Sequence, residues 1–177
     1  MVQNPLECSG LNGFNVIQMN AANRIVVIGP TKLTLVSLES LFANSFNVVG
    51  VFALTDLMAS KKARSVFFDE FSEKTKIPLF KIDDINSKST ISQIKSLRAD
   101  VILQLGWSQI FSKELINLAP IGCIGIHASL LPENRGGASL NWALITGATK
   151  WGVSLFYMSE KIDKGKIIAR QEFSVED

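Results

Sequence analysis

Ile25-Val26-Val27-Ile28, an amphipathic stretch from Leu33 to Ala43, then Val48-Val49-Gly50-Val51-Phe52: this order of apolar run, helical period and apolar run decides the fold class. Short runs without polar alternation read as strands covered on both faces, as parallel strands packed under helices are. Two such runs flanking a helical segment form a β-α-β unit.

The alternation continues toward the C-terminus. Phe67 and Phe71, with Val66 and Phe68 beside them, predict a short helix within Ala63 to Lys76. Ile77-Pro78-Leu79-Phe80 predicts an edge strand, because proline is tolerated at a strand start and at a sheet edge. A helix carrying Ile91, Ile94 and Leu97 leads to a buried strand at Val101-Ile102-Leu103, and a helix near Lys113 to Leu118 leads to the strand Cys123 to His127. A loop from Ala128 to Gly137 follows, then a helix about Leu140 to Ile145 and a strand about Gly152 to Phe156. A turn at Ser159 to Gly165 leads into a last strand, Lys166 to Phe173. The expected fold is α/β, a Rossmann-like, mostly parallel sheet with helices on both faces. The core is assigned to residues 24–177; residues 1–23 lack a sustained period and read as an N-terminal tail or extension.

A chain of 177 residues with 47% hydrophobic side chains closes one sizeable core. The net charge of +2, from 18 basic and 16 acidic residues, gives no electrostatic reason to expect nucleic acid; a small ligand is the better target. Cys8 and Cys123 form neither a disulfide framework nor a metal-ligand spacing, which suits a reducing compartment and a site without metal. The first residues lack a signal-peptide pattern and no stretch is long enough to span a bilayer, so the expected location is cytoplasmic, without a membrane partner.

Val27-Ile28-Gly29-Pro30-Thr31 has one glycine where a dinucleotide-binding loop needs three, which disfavours a nicotinamide oxidoreductase. Lys61-Lys62-Ala63-Arg64 reads first as a solvated basic cluster and second as a contact for an anionic substrate. Trp107, Trp142 and Trp151 suit stacking on a planar ligand and ordinary packing equally.

His127 is the single histidine. A lone histidine in a strand is ordinarily structural, but this one ends a parallel strand, where open α/β sheets bind ligands. It also precedes a loop holding Ser129, Asn134 and Arg135, and such convergence of polar groups favours a site. Asp163 lies in the turn Lys161-Ile162-Asp163-Lys164-Gly165; local sequence by itself favours a water-solvated turn carboxylate there.

The run Ile124-Gly125-Ile126-His127-Ala128-Ser129-Leu130-Leu131-Pro132-Glu133-Asn134-Arg135-Gly136-Gly137 resembles the family that includes methionyl-tRNA, glycinamide ribonucleotide and nucleotide-sugar formyltransferases. The likeness extends through Leu140-Asn141-Trp142-Ala143, Gly147 and Gly152-Val153-Ser154 to Ile162-Asp163-Lys164-Gly165-Lys166-Ile167-Ile168, and back through Gly106-Trp107-Ser108-Gln109-Ile110 to the opening strand. It implies a Rossmann-like fold and 10-formyltetrahydrofolate as formyl donor. By the same likeness His127 and Asp163 are the catalytic pair. Gly106, Trp107, Ser129, Leu130, Leu131, Pro132, Arg135 and Gly136 belong to the donor site, and Gly125, Asn141 and Trp142 take auxiliary or acceptor-side roles.

The chemistry so implied is attack of a substrate amine on the formyl carbon, with His127 donating to the charge that builds on the formyl oxygen and Asp163 helping to move the amine proton. One position departs from the family pattern: an asparagine usually precedes the histidine by two residues, and here Gly125 stands there. Losing one such donor costs about 2.7 to 4 kcal/mol of transition-state stabilisation. Either Asn141 or a loop N–H replaces it, or water fills the space beside Gly125, or the chain binds folate without efficient transfer. The stretch Arg135 to Trp142 looks closer to the nucleotide-sugar branch, so an amino-sugar nucleotide is the first expected acceptor, a small-molecule amine; a homodimer is compatible with this reading. A methionyl-tRNA or other amine formyltransferase, a formyltetrahydrofolate hydrolase and a weak folate-binding module are the alternatives.

Overall fold

The computed structural model describes residues 20–175. Most of the expected N-terminal extension, together with Cys8, lies outside them; Asn20 to Asn23 form a turn closed by Asn23 N–H donating to Asn20 O at 3.1 Å.

The elements run β1 Ile25–Ile28, α1 Lys32–Ala43, β2 Val48–Leu54, α2 Asp56–Lys61, α3 Asp69–Thr75, β3 Leu79–Ile82, α4 Lys88–Ser96 and β4 Val101–Gln104. They continue with α5 Lys113–Ile116, β5 Gly122–His127, α6 Ser139–Ile145, β6 Lys150–Tyr157 and β7 Ile167–Ser174. One seven-stranded sheet has the order β3-β2-β1-β4-β5-β6-β7. β1 to β5 pair parallel, and β6 and β7 extend the sheet antiparallel beyond β5.

Both faces of the parallel part are covered, as its unbroken apolar runs require. On one face Val26, Ile28, Phe52, Ile102 and Cys123 pack with Ala59 of α2, Ile94 of α4 and Leu115 and Ile116 of α5. On the other, Ile25, Val27 and Val51 pack with Leu35, Leu38 and Leu41 of α1 and with Phe71 of α3. A third cluster joins Val101, Ile124 and Ile168 where the antiparallel strands attach. Among the described residues no helix is long and apolar enough to cross a membrane.

Two local expectations are corrected. The helix expected within Ala63 to Lys76 starts only at Asp69; Arg64 takes a left-handed φ of 67°, and Ser65 bridges to Thr31, so residues 62–68 are drawn against the end of β1 instead of coiling. α2 was not expected, because its six residues are too few to show a period. The edge strand sits two residues later than read, beginning after Pro78, whose carbonyl accepts from Val51 N–H at 2.9 Å.

Candidate functional site

The strand order reverses between β1 and β4, where doubly wound sheets commonly leave a crevice. Here backbone fills it: Thr34 Oγ1 donates to Leu105 O at 2.7 Å, and a Cβ on Gly29 would stand 2.2 Å from that same oxygen. The opening lies one strand further along. A cavity of about 370 Å³ is lined by Gln104, Gly106 and Trp107 at the end of β4 and by Ile126 and His127 at the end of β5. Gly136, Gly137 and Asp163 come from the two following loops, and Phe111, Ile116, Phe156 and Met158 form apolar walls.

His127 is held from both sides of its ring. Nε2 lies 2.9 Å from the carbonyl oxygen of Asn134, and a carbonyl only accepts, so Nε2 carries a proton there. Nδ1 is 3.6 Å from Asp163 Oδ2, slightly longer than a hydrogen bond; the two side chains are 11% and 15% exposed. Asp163 is itself tethered: Gly136 N–H donates to Oδ2 at 2.9 Å, and Arg135 Nε donates to the Asp163 carbonyl at 2.9 Å. The connection from β6 to β7 therefore clasps the loop after β5, and the carboxylate is not the freely solvated turn residue that local sequence favours. Asn134 and Asp163 both take a φ of 51°, a region that short polar side chains tolerate. Gly165 lets the turn close, since a Cβ there would sit 1.5 Å from Tyr157 O.

Buried Ser154 of β6 anchors the loop from behind. Its Oγ donates to Ser129 O at 2.7 Å and accepts from Leu131 N–H at 2.9 Å. Ser129 Oγ donates to Glu133 O at 2.7 Å, Arg170 Nη1 donates to Leu131 O at 3.1 Å, and Trp151 Nε1 donates to Ala128 O at 2.6 Å. Leu131 is buried, the Leu131-Pro132 bond is cis, and Leu130 lies over Gly152, where a Cβ would come within 2.3 Å of Leu130 Cδ2.

Of the expected donor-site residues, Gly106, Trp107 and Gly136 line the cavity. Ser129, Leu130, Leu131, Pro132 and Arg135 do not; the first three turn toward β6, Pro132 is exposed, and Arg135 is spent on the Asp163 carbonyl. Ser129, Leu130, Leu131 and Arg135 instead make contacts that hold the loop in shape. Asn141 and Trp142 are likewise displaced from expectation: both are exposed on α6, Trp142 at 56%, and neither reaches the cavity lining.

Gly125 has no open space beside it. A Cβ would lie 3.2 Å from Met158 Cγ and 3.2 Å from the Phe156 ring, so apolar side chains occupy the place that one of the three alternatives gave to water. Phe156 and Met158 went unread as site residues, although Phe156 pairs with Gly125 and Met158, two residues on and just past the end of β6, packs beside it. Gln104 and Gln109 also went unread. Gln109 Oε1 accepts from Trp107 Nε1 at 3.1 Å, and Lys62 Nζ donates to Ser108 Oγ, bringing the basic cluster to the cavity rim. Cys123, below the cavity, is buried, and desolvation pushes its thiol up to about 12, which makes it an inert core residue. No group of residues able to hold a metal ion is present among the described residues.

A family model described as formyl transferase matches residues 23–177. The chain is 32% identical over 156 residues to the methionyl-tRNA formyltransferase of Clostridioides difficile, covering 87% of this chain and 50% of the relative. It is 34% identical over 151 residues to that of Alkaliphilus metalliredigens, covering 84% and 48%. The chain thus spans about half the length of the curated relatives it matches. Among solved structures, phosphoribosylglycinamide formyltransferase from Bacillus halodurans superposes with a TM-score of 0.70 at 22% identity, over 87% of this chain and 81% of that one. A formyltetrahydrofolate deformylase from Pseudomonas syringae superposes with a TM-score of 0.68 at 20% identity, over 86% and 51%. These likenesses show the fold, and the family model, spanning the sheet and both loops that meet at His127, shows that the chain belongs to the formyl transferase family.

Proposed function

We propose that the chain transfers a formyl group from 10-formyltetrahydrofolate to a primary amine. The observation that carries this reading is the seating of His127 against Asp163 in the wall of a cavity at the carboxyl ends of β4 and β5.

The cavity suits a folate. Trp107, Phe111, Ile116, Phe156 and Met158 supply the apolar surface that a planar ring buries. When bound, the folate supplies an activated formyl carbon. The Nε2 proton of His127, resting on Asn134 O, is the one poised to pass to an oxygen entering the cavity. Asp163, fixed by the Gly136 N–H, faces the same space and accepts the proton that the amine must lose, directly or through water; as the formyl carbon bonds to the amine, its bond to the folate nitrogen breaks and that nitrogen takes up the proton the amine gave. No metal is assigned a part.

The acceptor has two readings with separate support. The Arg135 to Trp142 stretch resembles the nucleotide-sugar branch and favours an amino-sugar amine. The identities of 32% and 34% to methionyl-tRNA formyltransferases favour the amine of an aminoacylated tRNA.

Mass spectrometry with 10-formyltetrahydrofolate, amino-sugar nucleotides and methionyl-tRNA, beside His127→Ala and a no-acceptor control, tests the proposal. An acceptor formylated only by wild type supports it and names the substrate. Formate released without any acceptor would replace transfer by hydrolysis, and absence of both would leave a binding module.

A further inference from the structure

We infer that Gln104 presents its side-chain amide to the formyl oxygen, taking the part that the family's asparagine plays where this chain has Gly125. The inference rests on the formyl-transfer reading above.

Gln104 and Gly125 are register partners on the parallel strands β4 and β5. Side chains of paired residues share a face, and so do residues two apart on one strand, so Gln104 projects on the same side of the sheet as Gly125 and His127. Gln104, His127 and Asp163 all line the cavity. An amide starting from the neighbouring strand, with one more methylene than asparagine, thus approaches the catalytic pair from the side that Gly125 leaves without a donor.

Its orientation is set. Gln104 Nε2 donates to the Trp107 carbonyl at 2.7 Å, and only the NH2 end of an amide can donate to a carbonyl. One N–H is used in that bond, leaving the second as a preorganised donor. Gly125 and its surroundings fit this exchange: Phe156 and Met158 fill the asparagine's place, so no side-chain donor starts from position 125. Asn141 is exposed outside the cavity and the Gly136 N–H is already given to Asp163; the Gly137 N–H, on the cavity wall, is a rival donor.

The test uses the full chain and a deaza analogue of the donor that keeps a carbon-13-labelled formyl group but transfers it slowly. Isotope-edited infrared spectroscopy reads the formyl carbonyl of the bound analogue, and steady-state kinetics read transfer to the amine found in the acceptor panel. Wild type is expected to lower the carbonyl stretching frequency. In Gln104→Met most of that shift disappears, and kcat falls roughly 100 to 1000-fold while the donor KM changes much less. Gln104→Glu, isosteric but lacking both N–H groups, gives the same two readouts should Gln104→Met fail to fold. A residue that merely supports Trp107 would alter stability or KM without touching the carbonyl frequency. An unchanged frequency with kcat within tenfold of wild type overturns the role of Gln104, points to Gly137 and leaves formyl transfer standing. A wild type that neither binds the analogue nor transfers formyl overturns the reaction and the role of Gln104 together.

Discussion

His127 Nε2 is tied at 2.9 Å to the main-chain carbonyl of Asn134, a residue seven positions later whose own φ is 51°. The imidazole is therefore aimed by loop backbone as well as by Asp163, and the loop keeps that carbonyl in place only while residue 134 stays left-handed. The direction of the ring and the conformation of the backbone are one property at this point.

Asn134→Val is expected to lower kcat at least tenfold and to cost about 1 to 2 kcal/mol of stability, because a β-branched residue resists the left-handed region. Asn134→Gly, which accepts the same φ, should remain within a few-fold of wild type. Steady-state kinetics with thermal unfolding separate these outcomes; equal loss in both variants would mean that the asparagine side chain, not the carbonyl, matters.

Asp163→Asn keeps an acceptor for the Gly136 N–H but removes the charge facing His127. Under the proposed reaction kcat falls by about 100 to 10,000-fold, the range of a lost acid-base group, with little change in melting temperature. A variant within tenfold of wild type would remove Asp163 from the proton path.

Much of this arrangement is legible in the sequence. The parallel strands announced themselves because burial on both faces forces unbroken apolar runs, and His127 followed from its place at the end of one. Asp163 was nameable only through the family motif, since a turn carboxylate in water and one clasped by Gly136 look alike in sequence. The burial of Ser129 and Leu131 against Ser154 was not readable, because it depends on the antiparallel register of β5 and β6. Gln104, a polar residue closing the apolar run Val101-Ile102-Leu103, was a visible signal; only its pairing with Gly125 gives it meaning.

Ser154→Ala tests the loop's anchor. The hydroxyl is fully buried and serves both Leu131 N–H and Ser129 O, so its removal strands two polar groups. A loss of about 1 to 3 kcal/mol is expected in denaturant unfolding. The accompanying fall in kcat should exceed any change from an equally destabilising substitution remote from the loop.

Gly125→Asn restores the family residue but forces it against Phe156 and Met158, whose atoms would lie 3.2 Å from the new Cβ. Overpacking of this kind costs about 1 to 3 kcal/mol, so the single variant should melt earlier than wild type. Combining it with Phe156→Val should recover much of the loss, beyond the sum of the two separate effects. Simple additivity would show that Phe156 is not what excludes a side chain at position 125.

Cys123 gives the chain a pH signature on its alkaline side. Desolvation raises the thiol from 9.0 to about 12 in the folded state, so between those values the unfolded chain has released this proton and the folded chain still binds it. The unfolded state then holds fewer protons, and stability falls as pH rises; the contribution is fully present below about pH 9 and is lost progressively toward about 12. For one group the slope approaches about 1.4 kcal/mol per pH unit. Cys123→Ala lacks this group, so urea unfolding of both proteins from pH 8 to roughly pH 10 should give a difference in stability that narrows as pH rises. Lys81 and Lys113, raised by hydrogen bonds to Asp56 and Glu160, titrate in both proteins and cancel in that difference. A difference independent of pH would mean that the thiol reaches solvent, and with it that the floor beneath Gly125 and Met158 is open to water.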